Sequence, residues 1–341
     1  MLTKRLTPRA LLTGFATAMA LLTAAPSQPA TPSLARGVRT SGMRRYLVHI
    51  KTKMTVPPGG FRQVRVWHAL PTPTAWSRTE RMPPLTALSY TPGTARFELE
   101  KDKRSGHIYF EQNTGLSPGN VLEFTTNFEF FSANRTFDTG SIAASWSQYK
   151  NTDFAGADAR VAINPTLAKI ADSIKSSSDP VSFVKNACDW VAKNLTYDDT
   201  VGWPADDVAS TMRYKRGHCG HFTNVFKQLC MQAGIPYRAV WGLALDDAAS
   251  IASMHKTTDN YTYCHTWSEV NFPYTGWVEV DPLHAGDYFN QPAKLVQNNT
   301  CFQNCSVWVT ENGKPSRMPN WDRNSGKWDF NTTTKVTFEE R

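Results

Sequence analysis

The sequence has one long apolar run, Ala10–Ala25, and nothing later in its 341 residues is apolar enough to cross a bilayer, which takes about 20 such residues. It has no basic stripe interleaved with aromatics, so nucleic-acid binding has no support. It has no CxxC or HExxH spacing, which removes the usual zinc patterns. It has no EF-hand loop, so calcium has no dedicated cradle. It has no internal repeat, which argues against a solenoid. No cysteine closely follows the apolar run, so a lipoprotein anchor would have no attachment point.

What is present is an ordinary globular balance, 40% hydrophobic and 19% charged, in a chain long enough for two packed domains. The formal charge is +8, and Lys4, Arg5 and Arg9 contribute three of those charges ahead of the apolar run. A basic start, a short apolar stretch and small residues at its end describe a secretory signal peptide over residues 1–25. The expected location is therefore secreted or periplasmic. The remainder is only mildly basic and predicts at most weak attraction to anionic surfaces.

Residues 26–43 are rich in Pro, Ser, Ala and Thr and read as a linker. From there to about 140 the chain gives short β-rich segments between Gly, Pro and Asn turns. These include Tyr46–Val56, Arg62–Leu70, ARFELE, HIYFEQ and VLEFTTNFEFFS, and they predict an antiparallel β-sandwich over 44–140. Helical periodicity takes over after about 160. Asn164-Pro165 and Asp179-Pro180 each place a capping residue before a Pro at the first helical position. A third helix is predicted from Cys219 to Gln232, closed by Gly234. Strands YRAVWGLAL, HTWSEVNF and GWVEVD follow, so the core over 141–295 is α+β, helices plus an antiparallel sheet. The polar segment 296–341 carries strand-like pieces that the pattern does not place.

Six cysteines are present. Cys188 and Cys230 fall at apolar positions of helical stripes and read as core. Cys301 and Cys305 lie close together in an Asn-rich stretch where a local bridge is feasible. Cys219 differs, because glycines and histidines surround it at a predicted helix start (Gly217-His218-Cys219-Gly220-His221). Backbone N–H groups and the positive helix end favour a thiolate there. Gly217 and Gly220 would let a substrate backbone approach.

A nucleophilic thiol needs a base, and the base an orienting group. His218 and His221 are neighbours of Cys219, but adjacent side chains on a helix rarely face each other, and His255 sits in a polar loop-like stretch. His265 opens HTWSEVNF. A PYTG turn returns the chain along GWVEVD, so Asp281 at the end of the second strand falls beside His265 at the start of the first.

The ordered set consists of a Gly-flanked Cys at a helix start, Gly-Ile-Pro-Tyr-Arg (234–238), His-x-Trp-x-Glu (265–269) and Gly-Trp-Val-x-Val-Asp-Pro (276–282). It resembles the core of the transglutaminase-like superfamily over about residues 165–290, and bacterial members also resemble the β-rich segment before it. The resemblance implies a papain-like half-fold with catalytic Cys219, His265 and Asp281, no cofactor and no metal. It implies a cysteine-nucleophile enzyme that forms a thioester with a protein or peptide amide, resolved by water (protease or amidase) or by an amine (transglutaminase). Trp267, Glu269, Trp277 and Glu279 belong to the motifs and are expected to support the site. The Cys219 N–H would serve as one oxyanion donor, with Tyr197 or Trp203 as weak candidates for the second. The alternative is a non-catalytic protein- or carbohydrate-binding module on the same fold. Two further readings carry little weight. One is a metal site from Cys219, His218, His221, Cys264 and His265. The other is calcium on the pairs Asp198-Asp199, Asp206-Asp207 and Asp246-Asp247, which read more simply as solvated turns. The sequons at Asn134, Asn194, Asn260, Asn298, Asn304 and Asn331 matter only in a host that glycosylates exports. Oligomeric state has no signature.

Overall fold

The computed structural model describes residues 36–56, 58, 60, 63–70, 77–81, 89–90, 94–99, 106–112, 116–142, 144–149, 157–246, 261–284, 286–292, 295–297, 307–311, 321–322, 327–328 and 332–340. The expected signal peptide, most of the linker, His255, Asp247, Cys301, Cys305 and the sequons at Asn260, Asn298, Asn304 and Asn331 lie outside the described residues.

Strands β1 (Val38–Thr55), β2 (Val64–Ala69), β3 (Ser77–Arg81), β4 (Ser89–Tyr90), β5 (Thr94–Leu99), β6 (Gly106–Gln112) and β7 (Val121–Phe137) come first. Then follow α1 (Pro165–Ser176), α2 (Pro180–Asn194), β8 (Thr196–Tyr197), α3 (Val208–Tyr214), β9 (Arg216–Gly217) and α4 (Cys219–Ala233). The chain continues through β10 (Tyr237–Asp246), β11 (Tyr261–Phe272), β12 (Gly276–Val280), β13 (Leu295–Gln297), β14 (Val307–Glu311), β15 (Trp321–Asp322), β16 (Lys327–Trp328) and β17 (Thr332–Glu340).

The period-two pattern of β1 and β7 does what it predicts. Tyr46, Val48, Ile50 and Met54 of β1 and Leu122, Phe124, Phe128 and Phe130 of β7 are buried on one face. They meet Val64, Val66, Ile108 and Phe110 from the facing sheet in one apolar core. Each such side chain contributes about 1.5–3 kcal/mol on burial. The first sheet runs β17-β1-β7-β3 with β4 also on β7, and the second runs β14-β2-β6-β5. The C-terminal segment that sequence pattern left unplaced thus supplies β14 and β17 to these two sheets. β1 also begins earlier than its pattern suggests, at Val38, with a register shift between Ser41 and Arg44. His68 sits inside this core between the Thr52 and Thr126 hydroxyls at 3.0 and 2.8 Å.

The second core is α+β. The sheet β12-β11-β10-β13 is antiparallel, and helices α1, α2 and α4 share one core with its inner face. Asn164 and Asp179 cap α1 and α2 through their side chains, with Pro at the first position of each. Gly234 ends α4 in the left-handed region at φ 86°, which glycine enters without strain. Helix α3, which sequence periodicity did not announce, is a short turn capped by Asp207.

Candidate functional site

The site forms where the start of α4 meets the middle of β11. Helix α4 buries Phe222, Val225, Phe226, Leu229, Cys230 and Ala233 against the core, and that fixes its axis. Its first residue, Cys219, is half-buried, whereas Cys188 and Cys230 are fully enclosed and their thiols are pushed up by burial. One hydroxyl ties the helix start to the sheet: Thr223 Oγ1 lies 2.8 Å from the Cys219 carbonyl and 3.0 Å from the Thr266 carbonyl. That hydroxyl holds Cys219 at the level of His265, the neighbour of Thr266 in β11.

His265 lies in the interior of β11, not at the strand's start as the pattern suggested, because β11 reaches back to Tyr261. Pairing with β12 begins only at Ser268↔Val280. His265 therefore projects past the end of β12, and Asp281, the next residue after that strand, comes alongside it. His265 Nε2 donates to Asp281 Oδ2 at 2.6 Å. The Leu283 N–H donates to Oδ1 at 3.0 Å, and the Asp281 N–H is held by the Tyr288 carbonyl at 2.9 Å. Asp281 is fully buried, which disfavours its charge, yet its pKa is lowered because the His265 ring supplies both charge and a hydrogen bond.

The thiol and the imidazole titrate as a linked pair. Burial pushes the Cys219 pKa up, but hydrogen bonds from His218 and His265 and the charge on His265 outweigh it and bring the thiol to about 5. Burial pushes His265 down, but the charge and hydrogen bond of Asp281, with Cys219 behind them, raise it to about 10. Between those values the pair is a thiolate beside an imidazolium.

A second line of contacts orients the ring. The Trp267 indole stacks on His265 with centroids 5.7 Å apart and planes at 18°. Its Nε1–H donates to Glu279 Oε1 at 2.9 Å. Glu279 is directly opposite Glu269 across β11–β12, a like-charge arrangement that destabilises a sheet unless each charge is paired. Each is paired: Glu269 with Arg238, whose guanidinium lies 4.3 Å over Trp277, and Glu279 with Arg135 at 2.8 Å. Arg135 comes from β7, is 2% exposed, and also donates to the carbonyls of Ala133 and Pro292. A strand of the first sheet thereby reaches the carboxylate that anchors the tryptophan behind His265.

The structure thus brings Cys219, His265 and Asp281 together, and Trp267, Glu269, Trp277 and Glu279 behind them. It revises two readings of the sequence, on the flanking glycines and on His218. Gly217 and Gly220 do not open space for a substrate: a Cβ on Gly217 would lie 2.4 Å from the His221 Cβ, and one on Gly220 would lie 3.0 Å from the Ala205 Cβ. His218 is not bound by the helical-neighbour rule, since as helix cap it has extended backbone (φ −89°, ψ −175°) and its ring Nδ1 accepts the Gly220 N–H. The Trp203 indole N–H is directed at Thr211 Oγ1 (3.2 Å), which weakens it as an oxyanion donor. The acidic pairs that are described do structural work: Asp198 accepts from Thr200 and pairs with Arg216, and Asp207 caps α3. Among the described residues no group of three or more His, Cys, Asp or Glu side chains is placed to hold a metal ion. The sequence reading missed Thr223 and Arg135. A threonine at i+4 from the nucleophile is an ordinary helix residue in sequence, and the only cue to Arg135 was a charge near the end of an aromatic strand.

Comparison with known proteins agrees with this fold. Residues 168–282 match the family described as the transglutaminase-like superfamily, so this segment is a transglutaminase-like core. Over 127 residues the chain is 30% identical to the uncharacterized protein YebA of Bacillus subtilis (strain 168). That alignment covers 34% of this chain and 17% of the relative's length. Among solved structures, a candidate cysteine protease from Cytophaga hutchinsonii superimposes with a TM-score of 0.53 at 13% identity, covering 89% of this chain and 100% of that one. The likeness is one of fold. The periplasmic domain of TgpA from Pseudomonas aeruginosa gives a TM-score of 0.33 at 15% identity, over 68% of this chain and 86% of that one.

Proposed function

We propose that this chain, whose residues 168–282 form a transglutaminase-like core, is an exported cysteine enzyme that transfers the acyl group of a protein or peptide amide to water or an amine. The observation that carries the proposal is the juxtaposition of a half-buried thiol at a helix start, tied through the Thr223 hydroxyl to the Thr266 carbonyl, with the neighbouring His265, whose Nε2 is fixed 2.6 Å from the buried Asp281 carboxylate.

In this reading the Cys219 thiolate attacks the amide carbonyl carbon and the C=O electron pair moves onto oxygen. The Cys219 N–H is one of the first N–H groups of α4, which intrahelical bonding leaves unused, and it donates to that oxygen. Because Nε2 of His265 is committed to Asp281, the proton moves through Nδ1. The imidazolium gives it to the departing nitrogen, the C–N bond breaks and a thioester remains. Neutral His265 then takes a proton from water or an amine as that group attacks the thioester. Collapse breaks the C–S bond and restores the thiolate–imidazolium pair. Asp281 keeps the Nε2 proton throughout and holds the ring in one tautomer.

Export rests on the basic N-terminus and the apolar run that follows it. Among the described residues no helix is long and apolar enough to cross a membrane.

The test uses intact mass after acid quench. The chain is incubated with glutamine-containing and peptide-amide donors, with and without a primary amine. The expected result is an acyl adduct on Cys219 that is absent in Cys219→Ala and is consumed by water or amine. A reactive thiol that never acylates and turns over no donor would instead identify a binding module on the same fold.

A further inference from the structure

Strand β7 serves both cores. From Leu122 to Phe130 every second residue is buried, and the apolar ones join the first core. The alternation then shifts by one residue, with Ser132 and Ala133 both buried, beside the break in pairing with β1 between Ser41 and Arg44. An irregularity of this kind re-aims the side chains beyond it. Beyond it Arg135 and Phe137 are buried, and Phe137 stacks on Phe272 within the second core with centroids 6.0 Å apart.

Two lines of contact lead from Arg135 to the two members of the His265–Asp281 pair. The first uses its side chain. Nε and Nη2 lie 2.8 and 3.3 Å from the two oxygens of Glu279, a fork that fixes the plane of the carboxylate. Oε1 of that carboxylate accepts the Trp267 Nε1–H at 2.9 Å, and the indole stacks on the His265 ring. The second line uses the backbone. Arg135 and Gln291 exchange two N–H···O bonds, both of 2.8 Å. The Gln291 Nε2–H donates to the Tyr288 carbonyl at 2.9 Å, and the same carbonyl accepts the Asp281 N–H at 2.9 Å. Every residue in both lines is buried. Nη1 of Arg135 donates to the Ala133 and Pro292 carbonyls, so the guanidinium cannot turn without losing bonds on several sides.

A buried ion pair stabilises a fold little more than apolar residues of the same volume, so cohesion alone does not call for one here. We propose that Arg135 is a positioning residue for the reaction, the common anchor from which β7 holds the His265 ring and the Asp281 backbone in one relative geometry. This rests on the reading of His265 and Asp281 as base and orienting group. Such groups need to be held to within about 0.5 Å of their productive geometry. A ring stacked on a tethered indole and a carboxylate hung beside a tethered carbonyl do not drift independently, because both tethers end on one residue. Arg135 exchanges no proton in this role and acts only through the two lines.

The test uses the full chain and two readouts. One is the downfield proton resonance of the His265 Nε2–H bond to Asp281. The other is kcat against KM with an amide donor. Arg135→Lys keeps the charge beside Glu279 but loses the fork. Val48→Ala, in the first core and away from both lines, controls for loss of stability in the same sheet. The expected result is that Arg135→Lys broadens or loses the resonance and lowers kcat by about 10–100-fold with KM unchanged, while Val48→Ala alters neither. In a Trp267→Phe, Gln291→Met background, where both lines are already cut, Arg135→Lys should add little. A folded Arg135→Lys that keeps the resonance and kcat, or one whose full effect persists in that background, overturns the inference and leaves the proposed function standing. Should Arg135→Lys not fold, Trp267→Phe and Gln291→Met decide singly, since each cuts one line and leaves the ion pair intact; an unchanged resonance in both overturns the inference. A wild type that turns over no donor overturns the proposed function, and the resonance alone then decides whether Arg135 anchors the pair.

Discussion

The thiolate–imidazolium pair makes a quantitative prediction about alkylation by iodoacetamide. With the thiol at about 5, Cys219 at pH 6 is about 90% thiolate, while an ordinary thiol at 9.0 is about 0.1%, a ratio of roughly 900. Intrinsic nucleophilicity falls with pKa, with a Brønsted coefficient of about 0.4–0.5, so a four-unit drop costs about 40–100-fold in rate. At pH 6 Cys219 should therefore react about 10–20 times faster than a small free thiol. At pH 9 the populations differ only about twofold, and Cys219 should be about 20–50 times slower. The two profiles cross near pH 7. The Cys219 rate should stay flat from about pH 6 until His265, raised to about 10, begins to lose its proton. His265→Ala removes the partner charge, and its rate should climb with pH like that of an ordinary thiol. A wild-type rate that rises about tenfold per pH unit between 6 and 8, with no crossing, would refute the ion pair.

Three further outcomes are expected. Arg135→Met leaves Glu279 as an unpaired buried charge, which costs about 3–5 kcal/mol in denaturant unfolding. Arg135→Met with Glu279→Gln should recover part of that, and failure of the second change to recover any would show that the cost is packing alone. Thr223→Val conserves shape but removes the hydroxyl between the Cys219 and Thr266 carbonyls. It should cost about 1 kcal/mol of stability and slow acylation of Cys219, so full acylation at reduced stability would deny the hydroxyl a positioning role. Burial lowers the His68 pKa to about 3, below its unfolded value, so its contribution is complete above about pH 6.5 and is lost as pH falls toward 3. From pH 7 to pH 5 this amounts to about 2 kcal/mol. Comparison of urea unfolding at the two pH values should show that drop in the wild type and a smaller one in His68→Gln, and equal drops would exclude His68 as its source.

Much of the fold was legible because its cues are local. Asn164-Pro165 and Asp179-Pro180 start helices for reasons confined to a few residues, and the alternation of β1 and β7 states which face is inside. The catalytic candidates were legible for a similar reason: a short turn between two strands forces them to be antiparallel neighbours, so His265 and Asp281 meet although 16 residues apart. What the sequence hid has two physical origins. Long-range pairing is one. Neither β17 on β1 nor Arg135 against Glu279, 144 residues away, leaves a local signature. The other is the end of a helix, where helical rules stop. The argument that neighbours do not face each other holds for residues with helical φ and ψ, and His218 lies one residue outside that regime, on extended backbone. The same step explains the glycines. They read as room for substrate because the sequence shows only that side chains are missing, whereas the structure shows that two imidazole rings occupy the space. A Gly-His-Cys-Gly-His run at a helix start should therefore be searched first for capping imidazoles that fill the glycine space, and only then for an opening.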